Sequence, residues 1–183
     1  MKKVLIPLAQ GFEELEAITV IDLLRRAKIE VISASLDGEL VKASRGTVVQ
    51  ADTDLDNALK SDYDMIVLPG GLPGADHLRD DERIIKALRQ QNQNGKAIAA
   101  ICAAPKVLAH ADLIEGRNIT SFPGAMSSTD LKEAIYQEQA VVVDGNLITS
   151  RGPGTAMDFA LTLIEYLEGK TCRDSVEQPL QRS

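Results

Sequence analysis

Apolar runs of strand length at Val4–Leu8, Val31–Ser35, Asp64–Leu68 and residues 97–101 are separated mostly by stretches of helical periodicity, and this alternation leaves the chain few folds. Continuous apolar strands are buried on both faces, which is the habit of parallel sheets whose crossovers are helices. The chain therefore reads as α/β, a doubly wound, mostly parallel sheet sandwiched between helices. A length of 183 residues predicts a single domain spanning 1–183. In such sheets pockets open at the carboxyl ends of strands, so the residues just beyond each run are the candidates for chemistry.

The first run is followed by a helix from about Glu13, in which Ala17, Val20, Ile21 and Leu24 recur at helical spacing. Leu15, Ile18 and Leu23 widen that apolar surface beyond what one sheet face covers, which predicts a second subunit against it. Glu13 and Glu14 suit the first turn of a helix. Glu16 differs: on a helical wheel it lies between Val20, Leu23 and Ala27, along an apolar flank. Short strands are expected at residues 40–41 and 48–49, around Ser44-Arg45-Gly46. A helix from about Asp80 to Asn94 follows the turn Pro69-Gly70-Gly71, a strand and then a turn follow from Ile119 to Gly124, and a hairpin turns at Asp144-Gly145. Arg151-Gly152-Pro153-Gly154-Thr155 leads into a final helix to about Leu167, and residues 172–183 read as a loosely held tail containing Cys172 as a bystander thiol.

The strand 97–101 runs directly into Cys102-Ala103-Ala104-Pro105, with a proline suited to the first turn of a helix. Small residues two before and two after the cysteine, Ala100 and Ala104, let strand and helix approach as in a nucleophile elbow. A thiol at that corner sits over backbone N–H groups, which favour its thiolate. A buried cysteine packing as a small hydrophobe is the alternative. If the strands 64–68 and 97–101 are neighbours, the Gly70 and Gly71 amides lie beside the sulfur and can donate to an anion formed there.

The formal charge of −7, without any basic run, argues against a nucleic-acid partner. No signal peptide is read at Met1-Lys2-Lys3 and no run reaches membrane-spanning length, so a cytoplasmic location without membrane contact is expected. His77 and His110 stand outside any motif, neither pairs with a nearby Cys or His, and no metal or other cofactor is expected.

Four segments together resemble the ThiJ/PfpI superfamily, within it the branch of the parkinsonism-associated deglycase (DJ-1) and bacterial ThiJ/YajL-like proteins. They are Gly11-Phe12-Glu13-Glu14-Leu15-Glu16, Val67-Leu68-Pro69-Gly70-Gly71, Ala99-Ala100-Ile101-Cys102-Ala103-Ala104-Pro105 and Thr149-Ser150-Arg151-Gly152-Pro153-Gly154-Thr155. The resemblance implies a flavodoxin-like fold and a homodimer. It also implies Cys102 as nucleophile, Glu16 as its protonated partner, the Gly71 and Ala103 amides as an oxyanion pocket, and Arg45 and Arg151 near the rim. Independently of it, a carboxyl pushed into an apolar flank keeps its proton and can donate to a thiolate. Relatives that act as peptidases carry histidine directly after the cysteine; here Ala103 stands there, so protease chemistry is not expected. Phe122 stands where the parkinsonism-associated member has histidine.

Two functions follow. In one, Cys102 adds to a small reactive carbonyl such as methylglyoxal, or to a glycated protein, and Glu16 moves the proton that yields a 2-hydroxy acid without glutathione. In the other, the thiol is oxidised to a sulfinate and the dimer acts as a redox-responsive chaperone or oxidative-stress sensor. No phosphate loop supports a role in thiamine synthesis.

Overall fold

The computed structural model describes residues 1–131 and 133–182. Strand β1 (Lys3–Leu8) leads into helix α1 (Glu14–Arg26), and β2 (Glu30–Ser35) returns parallel to β1 with Val4 opposite Val31. An antiparallel hairpin of β3 (Leu40–Lys42) and β4 (Val48–Gln50) precedes β5 (Thr53–Asp54), which lies parallel beside β2. The Asp54 carboxylate accepts from the Asn57 N–H and so caps the one-turn helix α2 (Leu55–Ala58). Strand β6 (Met65–Leu68) is followed by α3 (Gly74–Asp80) and α4 (Glu82–Gln93), and β7 (Ala97–Ile101) by α5 (Pro105–His110). An excursion of β8 (Asn118–Ile119), α6 (Ser128–Leu131) and β9 (Ile135–Tyr136) pairs β8 with β9. The hairpin of β10 (Val141–Asp144) and β11 (Leu147–Ser150) leads to α7 (Ala156–Glu168) and α8 (Lys170–Glu177).

The main sheet has seven strands in the order β10-β11-β7-β6-β1-β2-β5, parallel except for the edge strand β10. This is the flavodoxin-like, doubly wound arrangement. Along β1 alternate residues enter opposite cores: Val4, Ile6 and Leu8 pack with α1 and α7 residues such as Leu24, Phe159 and Leu163, whereas Leu5 packs with Leu78, Leu88 and Leu108 of α3, α4 and α5. The chain steps from β1 to β2 on one side and resumes at β6 on the other. The β1–β6 boundary is thus the topological switch, and a crevice opens beyond its carboxyl ends.

Three sequence expectations are corrected, and one segment is added to them. Leu23 is only 2 % exposed and belongs to the intramolecular core, because α7 packs along α1; Leu15 and Ile18, at 50 % and 40 %, remain on the surface. The region ahead of Asp81 is helical: α3 begins at Gly74 and occupies what reads as an extended turn, and α4 starts at Glu82 with Asp81 accepting from the Arg83 N–H. The segment β5–α2 has no counterpart in the hydrophobic periodicity, since two strand residues and one helical turn are too short to show a period. The tail is not loose: α8 buries Val176 and packs Cys172 and Leu180 against the core, and Arg182 bonds Asp158 at 2.5 Å. Ser183, its last residue, lies outside the described residues.

Candidate active site

Cys102 sits at the junction of β7 and α5 with a φ of 64°, the left-handed conformation expected of an elbow. Its N–H donates to the Ser150 carbonyl of β11 at 2.9 Å, and its carbonyl accepts from the Phe122 N–H at 2.9 Å. Both peptide groups of the strained residue are therefore satisfied by neighbouring segments. Ala100 and Ala104 are fully buried on either side of the turn.

Strands β6 and β7 are adjacent, with Leu68 opposite Ala100, so the turn after β6 lies beside the elbow. A Cβ on Gly70 would lie 2.6 Å from Cys102 Cβ and 2.6 Å from Glu16 Oε2, so the absence of a side chain at 70 lets the three residues meet. Gly71 has φ +88°, and a Cβ there would stand 2.3 Å from the Glu13 nitrogen. The Gly70 carbonyl accepts from the Glu13 N–H at 2.9 Å, and the Gly70 N–H donates to Glu16 Oε2 at 2.8 Å. The turn is thereby tied to the first residues of α1 through both of its polar groups.

Glu16 is fully buried, and its second oxygen, Oε1, has no hydrogen-bond partner. Burial pushes the carboxyl up to about 7; the Cys102 thiol and the Gly70 N–H draw it down, and the charge of Glu13 raises it further. The Gly71 and Ala103 N–H groups lie on the side of the Cys102 sulfur where they favour its anion and draw the thiol down. They are outweighed. Burial first, and then the ionised Glu16 carboxylate, push the thiol up to about 12, which corrects the expectation of a readily ionised cysteine. The two groups form a coupled pair: a proton passed from sulfur to Glu16 removes the negative charge that opposes the thiolate. Such a pair can add sulfur to an electrophile while Glu16 takes the thiol proton, and the amides can hold the anion that results.

The structure brings Cys102, Glu16, Gly70, Gly71 and Ala103 together. It places the two arginines differently. Arg45 is exposed in the β3–β4 turn, where its N–H donates to the Glu14 carboxylate at 3.1 Å while Ser44 Oγ donates to Glu13 at 3.1 Å. The hairpin thus clamps the start of α1, and it is the Arg45 backbone that makes this contact. Arg151, half-buried, lines a cavity of about 270 Å³ with Ser121, Pro123, Gly124 and Tyr136. Neither guanidinium makes a hydrogen bond or ion pair with Cys102 or Glu16. His77 lines a separate cavity with Asp37 and Asp81, His110 ends α5, and Cys172 lies on α8 with its sulfur 4.0 Å from the Ala27 carbonyl. Among the described residues no group of three or more His, Cys, Asp and Glu could hold a metal ion. No helix among them is long and apolar enough to cross a membrane.

Two supports of the site escape sequence reasoning. Ser150 holds the Cys102 N–H through its carbonyl, which no side-chain pattern announces. Phe12 is fully buried, and its carbonyl accepts from the Ser44 N–H at 2.7 Å while its backbone lies against Gly71 and Gly74. The glycine following Leu72-Pro73 was the available signal.

Comparison with known proteins gives a consistent picture. The model of the DJ-1/PfpI family matches residues 2–166. Protein dj-1beta of Drosophila melanogaster is 45 % identical over 170 residues, covering 92 % of this chain and 91 % of that protein. The crystal structure of Drosophila DJ-1beta superposes with a TM-score of 0.95 at 43 % identity, covering 100 % of this chain and 98 % of that one. Protein DJ-1 homolog B of Arabidopsis thaliana is 44 % identical over 92 % of this chain, which spans only 38 % of that relative's length. Glutathione-independent glyoxalase DJR-1.2 of Caenorhabditis elegans is 34 % identical over 92 % of this chain and 89 % of that protein.

Proposed function

The chain belongs to the DJ-1/PfpI family, and on that footing we propose that it is a glutathione-independent glyoxalase acting on α-oxoaldehydes, with the same chemistry available to glycation adducts of proteins. The observation that carries this reading is the pairing of a fully buried carboxyl, raised to about 7, with the Cys102 thiol. A base poised near neutrality is what a reaction needs when protons must be both removed and returned. The name of the nematode relative supports the reaction class.

In the proposed sequence Cys102 sulfur bonds to the aldehyde carbon, its proton passes to Glu16, and the carbonyl electron pair becomes an oxyanion held by the Gly71 and Ala103 amides. The oxyanion is then protonated, giving a hemithioacetal and leaving Glu16 ionised. Glu16 takes the proton from the former aldehyde carbon and an enediol forms. Protonation of the adjacent carbon gives a 2-hydroxyacyl thioester on Cys102. Water then cleaves the C–S bond, releasing the 2-hydroxy acid and restoring the thiol. The net change is addition of one water to the oxoaldehyde, with no external oxidant or reductant. Lactate formation from methylglyoxal by the reduced protein, without glutathione, tests it.

The amides beside the sulfur favour a second use of the site, in which peroxide converts Cys102 to a sulfinate that these donors hold and the protein serves as a redox-responsive chaperone. We place the protein in the cytoplasm as a homodimer joined through the exposed Leu15 and Ile18 of α1.

A further inference from the structure

The two N–H groups assigned to the anion stand ahead of two different helices. Gly71 precedes α3, its carbonyl accepting from the Ala75 N–H at 2.9 Å, and Ala103 precedes α5, its carbonyl accepting from the Lys106 N–H at 3.4 Å. How α3 stands against α5 therefore sets how the two N–H groups stand to each other. Leu78 of α3 and Val107 and Leu108 of α5 belong to one core cluster, but apolar burial is non-directional and presses helices together without fixing their register. A polar tie fixes it. Lys106 Nζ donates to Asp76 Oδ1 at 2.7 Å, and among the described residues this is the only side-chain hydrogen bond between the two helices. The lysine is placed there at a cost. It is the second residue of α5, in the first turn, where the helix dipole disfavours a cation, and its side chain is only 13 % exposed although lysine is ordinarily solvated. Asp76 is held from its other side, since the same Oδ1 accepts from Arg79 Nη1 at 3.3 Å.

We propose that Lys106 and Asp76 are positioning residues of the candidate site, their ion pair locking the opening turn of α5 to that of α3 and so holding the Ala103 and Gly71 N–H groups in register around the Cys102 sulfur. This rests on the reading of those two N–H groups as the anion pocket and needs no turnover by the protein. Neither Lys106 nor Asp76 makes a hydrogen bond with Cys102 or Glu16. Each acts through backbone: Lys106 through its own N–H on the Ala103 carbonyl, Asp76 through the turn that begins on the Gly71 carbonyl. Small displacements matter at such a site, since a misplacement of about 1 Å can cost on the order of 10²-fold in rate.

The test is the second-order rate of Cys102 alkylation by iodoacetamide from about pH 6 to about pH 9, which follows the thiolate and is read by peptide mass on the reduced protein. Urea unfolding establishes that each variant is folded in the assay. Lys106→Met keeps most of the apolar stem and leaves Asp76 on Arg79; it and Asp76→Asn should each slow alkylation about fivefold at every pH. The double variant should be no slower than either single one, because both remove the same contact. Lys106→Arg, which can re-form the bond, should keep at least about half of the wild-type rate. A pair that serves stability alone would lower the unfolding midpoint and leave the rate of folded molecules unchanged, and that result overturns the proposal. So does faster alkylation in Asp76→Asn, which would make Lys106 a field charge, or a Lys106→Arg rate as low as that of Lys106→Met. Peroxide oxidation and lactate formation are followed in parallel. If wild-type Cys102 oxidises ahead of Cys172 and neither single variant alters alkylation, the clamp alone fails; if Cys172 oxidises first, the anion pocket on which it rests fails with it. If the alkylation pattern holds and the wild type forms no lactate from methylglyoxal, the clamp stands and the glyoxalase reading fails.

Discussion

The Gly70 N–H donates a 2.8 Å hydrogen bond to Glu16 Oε2, while Oε1 of the same buried carboxyl has no hydrogen-bond partner. A half-satisfied buried carboxyl costs stability. The Cys102 thiol is electrostatically coupled to that carboxyl.

That burden predicts how stability depends on pH. The folded-state value of Glu16 is raised from 4.5 to about 7, so between those values the native state binds the proton more tightly than the unfolded chain. The resulting stabilisation is complete below about pH 4.5 and is lost as pH rises through 7, a change on the order of 3 kcal/mol. Glu16→Gln does not titrate there. Urea unfolding should therefore show the variant gaining on wild type between pH 5 and pH 8; a stability difference that stays constant with pH contradicts the raised carboxyl.

Gly70→Ala should be severe at a position that looks like an ordinary turn. The new Cβ would meet Cys102 Cβ and Glu16 Oε2 at 2.6 Å and the Ile101 carbonyl oxygen at 2.9 Å, so two reactive side chains and a strand would have to move. A loss of about 1–3 kcal/mol is expected from such overpacking, together with at least a tenfold slower alkylation of Cys102 by iodoacetamide. Wild-type stability and reactivity in this variant would show that the close approach is not needed.

Much of this was legible in the residues. The apolar runs name the strands β1, β2, β6 and β7 because buried parallel strands leave no polar face, and Ala100-Ile101-Cys102-Ala103-Ala104 announces the elbow through side-chain size alone. Glu16 stands out on a wheel because a carboxylate among Val20 and Leu23 has no water to face. What was not legible depends on distant partners. Leu23 reads as surplus until α7 is seen to cover it, and the thiol reads as acidic until burial and the Glu16 charge are set against two amides. Residues 74–80 follow a proline and glycines that signal a turn, and only packing of Ala75 and Leu78 into the core shows the helix.

The homodimer predicted for the exposed side of α1 has a direct check. Leu15 and Ile18 are large, apolar and half in solvent, with Val48 of the β3–β4 hairpin also 55 % exposed. Sedimentation at micromolar concentration should give twice the chain mass, and Leu15→Glu with Ile18→Glu should give monomers without unfolding. A wild-type monomer would leave that surface without the proposed partner.

Oxidation separates the two cysteines. The Gly71 and Ala103 amides can stabilise an oxidised Cys102, whereas the contact of the Cys172 sulfur on α8 is to an acceptor, the Ala27 carbonyl. Mild peroxide followed by peptide mass spectrometry should find two added oxygens on Cys102 before any on Cys172. The reverse order would reject the amides as an anion pocket.

The central claim is that the Cys102–Glu16 pair performs turnover, and lactate formation from methylglyoxal in the absence of glutathione measures it most directly. Freshly reduced wild-type protein should form lactate, with a rate that rises with pH as Glu16 loses its proton near 7. Cys102→Ser should abolish it, because a serine hydroxyl stays protonated and no histidine adjoins it. Glu16→Gln should lower it by about 10²–10⁴-fold. Lactate formation that survives Cys102→Ser, or none from the reduced wild-type protein, would contradict the account.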